Sequence, residues 1–264
     1  MAIAHGKWIK TREEVYYNLT KSWSKGVAIF FATGAVSGTA LSFELGLLWP
    51  GFMEHAGSII GMPFSWEGAA FFLEAIALGI FLYAWKLIPE SIHWLSGIVV
   101  GISGVASGFF VVAANAWMNS PAGFDWLGGK AINIDPWAAM FNDAMLVMGI
   151  HMIVASFQST GFSVAGVHAF LLLKDKKNIF HKKALKIALF VAAIASLIQP
   201  LCGDMMAKST ARRQPIKLAA MEGHFDTERR APLLIGGIPD EEKGVTNYAI
   251  KIPALLSFMV HSDF

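Results

Sequence analysis

The chain has 264 residues, a formal net charge of +2, 55% hydrophobic and only 15% charged residues, and a mean hydropathy of +0.52. That balance excludes an ordinary soluble domain. The small positive charge carries no nucleic-acid signal, because the basic residues sort to particular segments between apolar stretches.

Five stretches approach the roughly 20 apolar residues needed to cross a hydrocarbon core of about 30 Å. They are Val27–Leu48, Gly68–Ile88, Trp94–Ala114, Ala144–Leu173 and Ala184–Leu201. Trp49, Trp66, Trp85, Trp94 and Trp117 rim them, as interfacial aromatics do. The fold class expected is therefore all-α, a polytopic membrane bundle of about five helices. Residues 1–25 read as a cytoplasmic connecting segment, 26–202 as the bundle, and 203–264 as an extracytoplasmic loop that stops short. Lys7, Lys10, Arg12, Lys21 and Lys25 precede the first span, and Lys174, Lys176, Lys177, Lys182, Lys183 and Lys186 cluster after the fourth. The connection from Trp49 to Glu67 has neither Lys nor Arg. Short Lys/Arg-rich loops stay cytoplasmic, so the N-terminus is placed inside and the tail from Gly203 outside.

Cys202 is the single cysteine, which excludes a disulfide within the chain and any Cys-based zinc or iron–sulfur site. Gly97, Gly101, Gly104 and Gly108 of the third span read as close helix packing.

Ionisable residues inside spans are expensive and mark partners or cavities. Glu67 opens the second span as drawn, and Glu74 follows seven residues on, nearly two helical turns. Both carboxylates then share one face, which suits proton transfer or contact with a cationic centre; an interfacial, dipole-favoured Glu67 is the plainer reading. Glu44 is near enough to the outer surface to snorkel. His151 and His168 both fall on the fourth span, about 25 Å apart along a helix, so they cannot share a metal. His168 lies against the lysine-rich loop and reads as interfacial. For His151, packing and haem ligation are both open on spacing alone. In the tail, Lys217 and Glu222 fall in a helical-looking Lys-Leu-Ala-Ala-Met-Glu run. Five residues do not bring two side chains to one narrow face. They would flank a polar-headed ligand, or be two solvated ends of a surface helix.

The stretches Gly38-Thr-Ala-Leu-Ser-Phe-Glu44-Leu-Gly, Trp66-Glu67-Gly-Ala-Ala-Phe-Phe-Leu-Glu74, Ala114-Asn115-Ala-Trp117-Met118, His151-Met-Ile-Val-Ala-Ser-Phe and Thr160-Gly-Phe-Ser-Val-Ala-Gly run in order along the chain. The tail adds Gln214-Pro-Ile-Lys217-Leu-Ala-Ala-Met-Glu222 and Gly236-Gly-Ile-Pro-Asp240. Together they resemble subunit I of the cytochrome bd-type quinol oxidases. The resemblance implies that His151 is an axial ligand of a low-spin haem b iron and that the Lys217 and Glu222 loop binds and oxidises quinol. It places Glu67 and Glu74 near the high-spin haems b and d and on the proton route, with Ser107 and Asn115 as further polar positions of that route. It implies oxygen reduction in a prokaryotic cell membrane. It also implies a second oxidase subunit as partner, small single-span subunits as further candidates, and surrounding lipid.

Members of that family carry another span before the position of Lys25 and further helices after the quinol loop, which complete the haem sites. The chain therefore reads as part of a subunit, expected to be inactive by itself. Two other classes fit the residues without the resemblance. One is a diheme electron-transfer cytochrome with His168 as a second ligand. The other is an ion-coupled transporter using Glu44, Glu67 and Glu74.

Overall fold

The computed structural model describes residues 1–261; Ser262, Asp263 and Phe264, the end of the loop expected over 203–264, lie outside the described residues. The chain divides into two compact units, 1–196 and from Leu197 on.

In the first unit a short helix, α1 (Ala2–Thr11), leads into α2 (Glu14–Leu48), α3 (Pro50–Tyr83) and α4 (Glu90–Asn119). A two-stranded ribbon, β1 (Asp125–Leu127) with β2 (Lys130–Ile132), and a single helical turn, α5 (Pro136–Met140), then precede α6 (Met145–Lys174) and α7 (Ile179–Arg213), which begins in this unit and continues past residue 196. α2, α3, α4, α6 and α7 are each long and apolar enough to cross a membrane. The expectation of a five-span all-α bundle is met, with strands confined to short pairs.

The boundaries differ from the sequence reading in one instructive place. The connection drawn from Trp49 to Glu67 is helical throughout: α3 starts at Pro50, a favoured first helical position, and runs through Pro63. Ile59 and Ile60 on this stretch are buried against Ala114 and Trp117 of α4 and Ala139 of α5, so packing holds a helix that hydropathy alone did not call for. Glu67 consequently lies in the middle of a helix of 34 residues rather than at its opening. At the other end, Tyr83 closes α3 ahead of Pro89, whose extended backbone starts α4, five residues short of the expected Ile88.

Small residues set the helix contacts. A Cβ on Gly97 would lie 2.6 Å from the Phe81 ring, one on Gly149 2.5 Å from Phe109, and one on Gly161 2.9 Å from Ala192 Cβ. Gly104 and Gly108 likewise face side chains across helix contacts, but Gly101 faces nothing within 4 Å. Four expected packing glycines thus reduce to three. In lipid, helices associate through such close approach, since apolar side chains gain nothing by leaving the tails. Ile29, Phe30, Leu87 and Phe190 accordingly stay exposed on the outer faces. Span hydroxyls that face apolar surroundings, such as those of Thr33, Thr39, Ser42 and Ser156, donate to carbonyls four residues back.

The second unit holds α8 (Pro215–Glu222), two antiparallel strand pairs and α9 (Leu255–His261). β3 (Leu233–Ile235) pairs with β6 (Ile250–Ile252), and β4 (Ile238–Asp240) with β5 (Val245–Asn247). The two pairs form one nested hairpin broken at Gly236 and Gly237, both with positive φ. A Cβ on Gly237 would lie 2.7 Å from Thr246 Cγ2, so the Gly-Gly-Ile-Pro-Asp motif is a bend that only glycine fits. Lys243 closes the turn on Asp240, donating to it from backbone and from Nζ, and those hydrogen bonds hold the Asp240 carboxyl below its ordinary pKa.

Candidate functional site

Glu67 and Glu74 share a face of α3, as their spacing requires, and both open into one cavity of 920 Å3 in the first unit. Ser107 of α4 faces them, its hydroxyl donating to Glu67 Oε1 at 3.2 Å. Gly104, one turn away on α4, faces Glu74: a Cβ there would lie 3.2 Å from Oε2. Two half-buried carboxylates, a hydroxyl and a side-chain-free patch of helix therefore meet at mid-bundle. Asn115 is not brought to this group. It is exposed on α4, where its carbonyl and Oδ1 take the amide of Asn119. Glu44 is exposed on α2.

His151 is half-buried on α6, between Gly149, which lets the Phe109 ring approach, and Met152, which touches the Gly108 position. Among the described residues no group of three His, Cys, Asp or Glu side chains could hold a bare metal ion. A single imidazole donor is a poor zinc site but would be a sufficient protein ligand for a porphyrin iron, to which the macrocycle itself supplies four nitrogen donors. The donor chemistry at His151 thus fits haem.

His168 is different. It is buried, 7% exposed, at the end of α6 beside the lysine-rich connection. Trp23 Nε1–H donates to its Nε2 at 3.2 Å, and its Nδ1 meets His181 Nδ1 at 2.9 Å. Both ring nitrogens are engaged, which is at odds with His168 as a second haem ligand. Trp23 and His181 were not singled out from the sequence. The available signal was proximity to one turn: residue 168 stands seven residues before the Asp175–Asn178 turn that joins α6 to α7 and residue 181 three after it, so both fall at the same end of an antiparallel helix pair.

In the second unit, Lys217 and Glu222 both lie on α8, Lys217 exposed and Glu222 half-buried. Pro215 starts the helix. Gly223, at φ 69, ends it, with His224 N–H bonded to Ala219 O and Gly223 N–H to Ala220 O. At 100° per residue the two side chains diverge by about 140° around the axis. Beyond the cap, Thr246 of β5 donates to Gly223 O at 2.6 Å, and His224 bonds Pro232 O at 2.9 Å. These bonds fix the end of α8 to the hairpin, so Glu222 stands on a braced helix terminus.

The family model for cytochrome bd terminal oxidase subunit I matches residues 1–264. A putative cytochrome bd menaquinol oxidase subunit I of Bacillus subtilis is 36% identical over 97% of this chain and 58% of its own length. A cytochrome bd ubiquinol oxidase subunit 1 from the same organism is 32% identical, over 100% of this chain and 57% of its own. The structure of bd oxidase from Geobacillus thermodenitrificans superposes with a TM-score of 0.93 at 41% identity, covering 99% of this chain and 60% of that one. The chain thus spans somewhat more than half the length of the relatives it matches. The chain belongs to the cytochrome bd terminal oxidase subunit I family.

Proposed function

We propose that these residues form part of the haem-bearing subunit of a terminal quinol oxidase, taking electrons from quinol and reducing oxygen to water in a prokaryotic cell membrane. The observation that carries the reading is the meeting of Glu67, Glu74 and Ser107 at one cavity inside a membrane bundle. Carboxylates at that depth are too costly to serve packing alone. Oxygen reduction consumes protons, and a carboxylate pair with a hydroxyl partner is a store from which they are delivered.

His151 would hold the low-spin haem b, which supplies one-electron redox chemistry when bound. The high-spin haems b and d belong with the Glu67 and Glu74 region and need further parts of the subunit. Glu222 accepts a quinol hydroxyl proton, and Lys217 stabilises the charge that builds on the quinol oxygen. The relatives are named for menaquinol in one case and ubiquinol in another, so quinol as a class is the substrate assigned. Asn115, away from the carboxylates, serves the route only further along α4. The lysine-rich ends of α2 and α6 face the cytoplasm and the α8 unit faces outward. A second oxidase subunit, with small single-span subunits, would cover exposed apolar faces beside lipid.

The test is quinol-driven oxygen uptake by the complete oxidase carrying Glu67→Gln or Glu74→Gln. Each is expected to lose most turnover. Full turnover with both would overturn the carboxylate reading.

A further inference from the structure

The cavity that holds Glu67 and Glu74 has a second end, at the inner ends of α2 and α6, where His168 and Trp23 line it. Between the two ends run Ser159, Thr160 and Ser163 of α6. Among the described residues these three hydroxyls have no hydrogen-bond partner, unlike those of Thr33, Thr39, Ser42 and Ser156, which bond back to their own helices. A polar line open to the cavity therefore joins a histidine at its mouth to two carboxylates at its head. Ser163 is five residues, about 7.5 Å of rise, from His168, and Thr160 is one turn further. Water spans such gaps.

The hydrogen bonds at the mouth fix where protons sit. An indole N–H is a donor only, so His168 Nε2 must be its acceptor and carry no proton. Neutral His168 then has its proton on Nδ1, donated to His181 Nδ1. His181 in turn carries its own proton on Nε2. With Trp23 in place this set is closed: the pair holds two protons and every facing lone pair is used. A third proton has one site to enter, His168 Nε2, and only when Trp23 lets go. His181 keeps accepting from Nδ1–H in either state, so it sets the tautomer and leaves Nε2 as the nitrogen that toggles.

We infer that His168 is the proton-carrying residue at the cytoplasmic mouth of this cavity, gated by Trp23 and positioned by His181. It passes protons along Thr160 and Ser163 to Glu67 and Glu74. In the transfer, Trp23 releases Nε2 and hydronium from the cytoplasmic side gives it a proton, leaving water. The resulting imidazolium donates that proton to cavity water beside Ser163 and returns to its neutral form. No electron moves, and one proton enters the cavity per cycle. The direction follows from the lysines at both neighbouring helix ends, and the destination rests on the reading of Glu67 and Glu74 given above.

The experiment uses the complete oxidase with His168→Gln. Glutamine can keep both bonds, accepting from Trp23 and donating to His181, but cannot carry a proton. At saturating quinol, kcat is expected to fall about tenfold or more, with quinol KM and haem content unchanged. Proton uptake after a single turnover is expected to slow by the same factor. His168→Ala is expected to regain rate with added imidazole. The double variant Thr160→Val with Ser163→Ala leaves the histidine pair intact and is expected to slow uptake likewise, so the idea does not depend on one substitution. Glu74→Gln, measured alongside, separates the two claims. If it loses turnover while His168→Gln and the double variant keep wild-type kcat and proton uptake, the entry route is wrong and the carboxylate reading stands. If all three keep full rate, both fall.

Discussion

Gly104 of α4 faces the Glu74 carboxylate of α3 so closely that a single added carbon would stand 3.2 Å from Oε2. The glycine leaves the carboxylate room in the cavity rather than letting two backbones touch. Span glycines are usually read as helix-contact residues, and three neighbours on this helix show how mixed that class is. Gly97 makes way for a phenyl ring, Gly108 for a methionine methyl, and Gly101 for nothing within 4 Å.

Gly104→Val should therefore act on Glu74 more than on the fold. The branched side chain pushes the carboxylate from its place, and misplacing a reacting group by about 1 Å costs on the order of 10²-fold in rate. Haem content and the amount of assembled oxidase are expected to stay near wild type while quinol-driven oxygen uptake drops. Gly101→Val, three residues (just under one turn) away on open helix surface, serves as the comparison. Equal losses in the two variants would mean that the contact is structural.

His151→Ala in the complete subunit is expected to remove the low-spin haem b signal from the reduced-minus-oxidised spectrum and to abolish quinol oxidation. The residue is on a helix whose neighbouring positions pack against α4 through Gly149 and Phe109. Truncating it leaves that contact in place, so the loss should be confined to the haem. An unchanged spectrum with full activity would remove His151 from the ligand set.

Lys217→Ala and Glu222→Ala are expected to weaken quinol turnover by about 10²-fold and leave all haem bands intact. Helix α8 is capped by Gly223 and its end is held by Thr246 and His224, independently of either side chain. Circular dichroism and haem content serve as controls, and normal turnover with quinol would overturn the assignment of the loop.

The bundle was legible in the sequence because lipid imposes a crude rule: long apolar runs between basic loops. The fourth span, drawn as Ala144–Leu173, agrees with α6 to a residue at each end. What hydropathy could not see is helix that leaves the apolar layer. Residues 50–66 carry Glu54, His55, two Ser, several Gly and Pro63, which dilute the apolar average. Yet Ile59 and Ile60 keep the helical spacing that packs them on Trp117. The pairing of Glu67 with Ser107 was beyond spacing arguments as well, since it joins helices forty residues apart. Asn115 shows the converse. Its motif placed it with the proton route, but eight residues, about 12 Å of rise, separate it from Ser107. The nested hairpin after α8 was missed because its strands are three residues each, too short for an alternating pattern.

The last expectation concerns α1 and pH. His5 is fully buried, packed on Trp8 of its own helix, on Phe81 of α3, on Trp85, and on the His93 ring of α4, whose Nδ1 is 3.5 Å from His5 Nε2. Burial, and next the neighbouring His93, push its pKa down from 6.5 to about 4; Glu90, held by Arg12, pulls weakly the other way. The depressed value means that docked α1 keeps His5 neutral, while an undocked His5 takes up a proton near pH 6.5. Between those two values the undocked state binds more protons, so lowering the pH favours it. The stabilisation is complete above about pH 6.5, declines as pH falls, and is gone below about 4. Its full size is about 3 kcal/mol. Amide hydrogen exchange of α1 in the complete oxidase, corrected for intrinsic rates, should therefore accelerate steeply from pH 6.5 to 4, while the mid-span amides of α4 stay protected. His5→Phe, which fills the same aromatic surroundings without a titrating group, should flatten that dependence. A wild-type α1 whose corrected exchange does not change across this range would show that His5 is not held neutral by its docking.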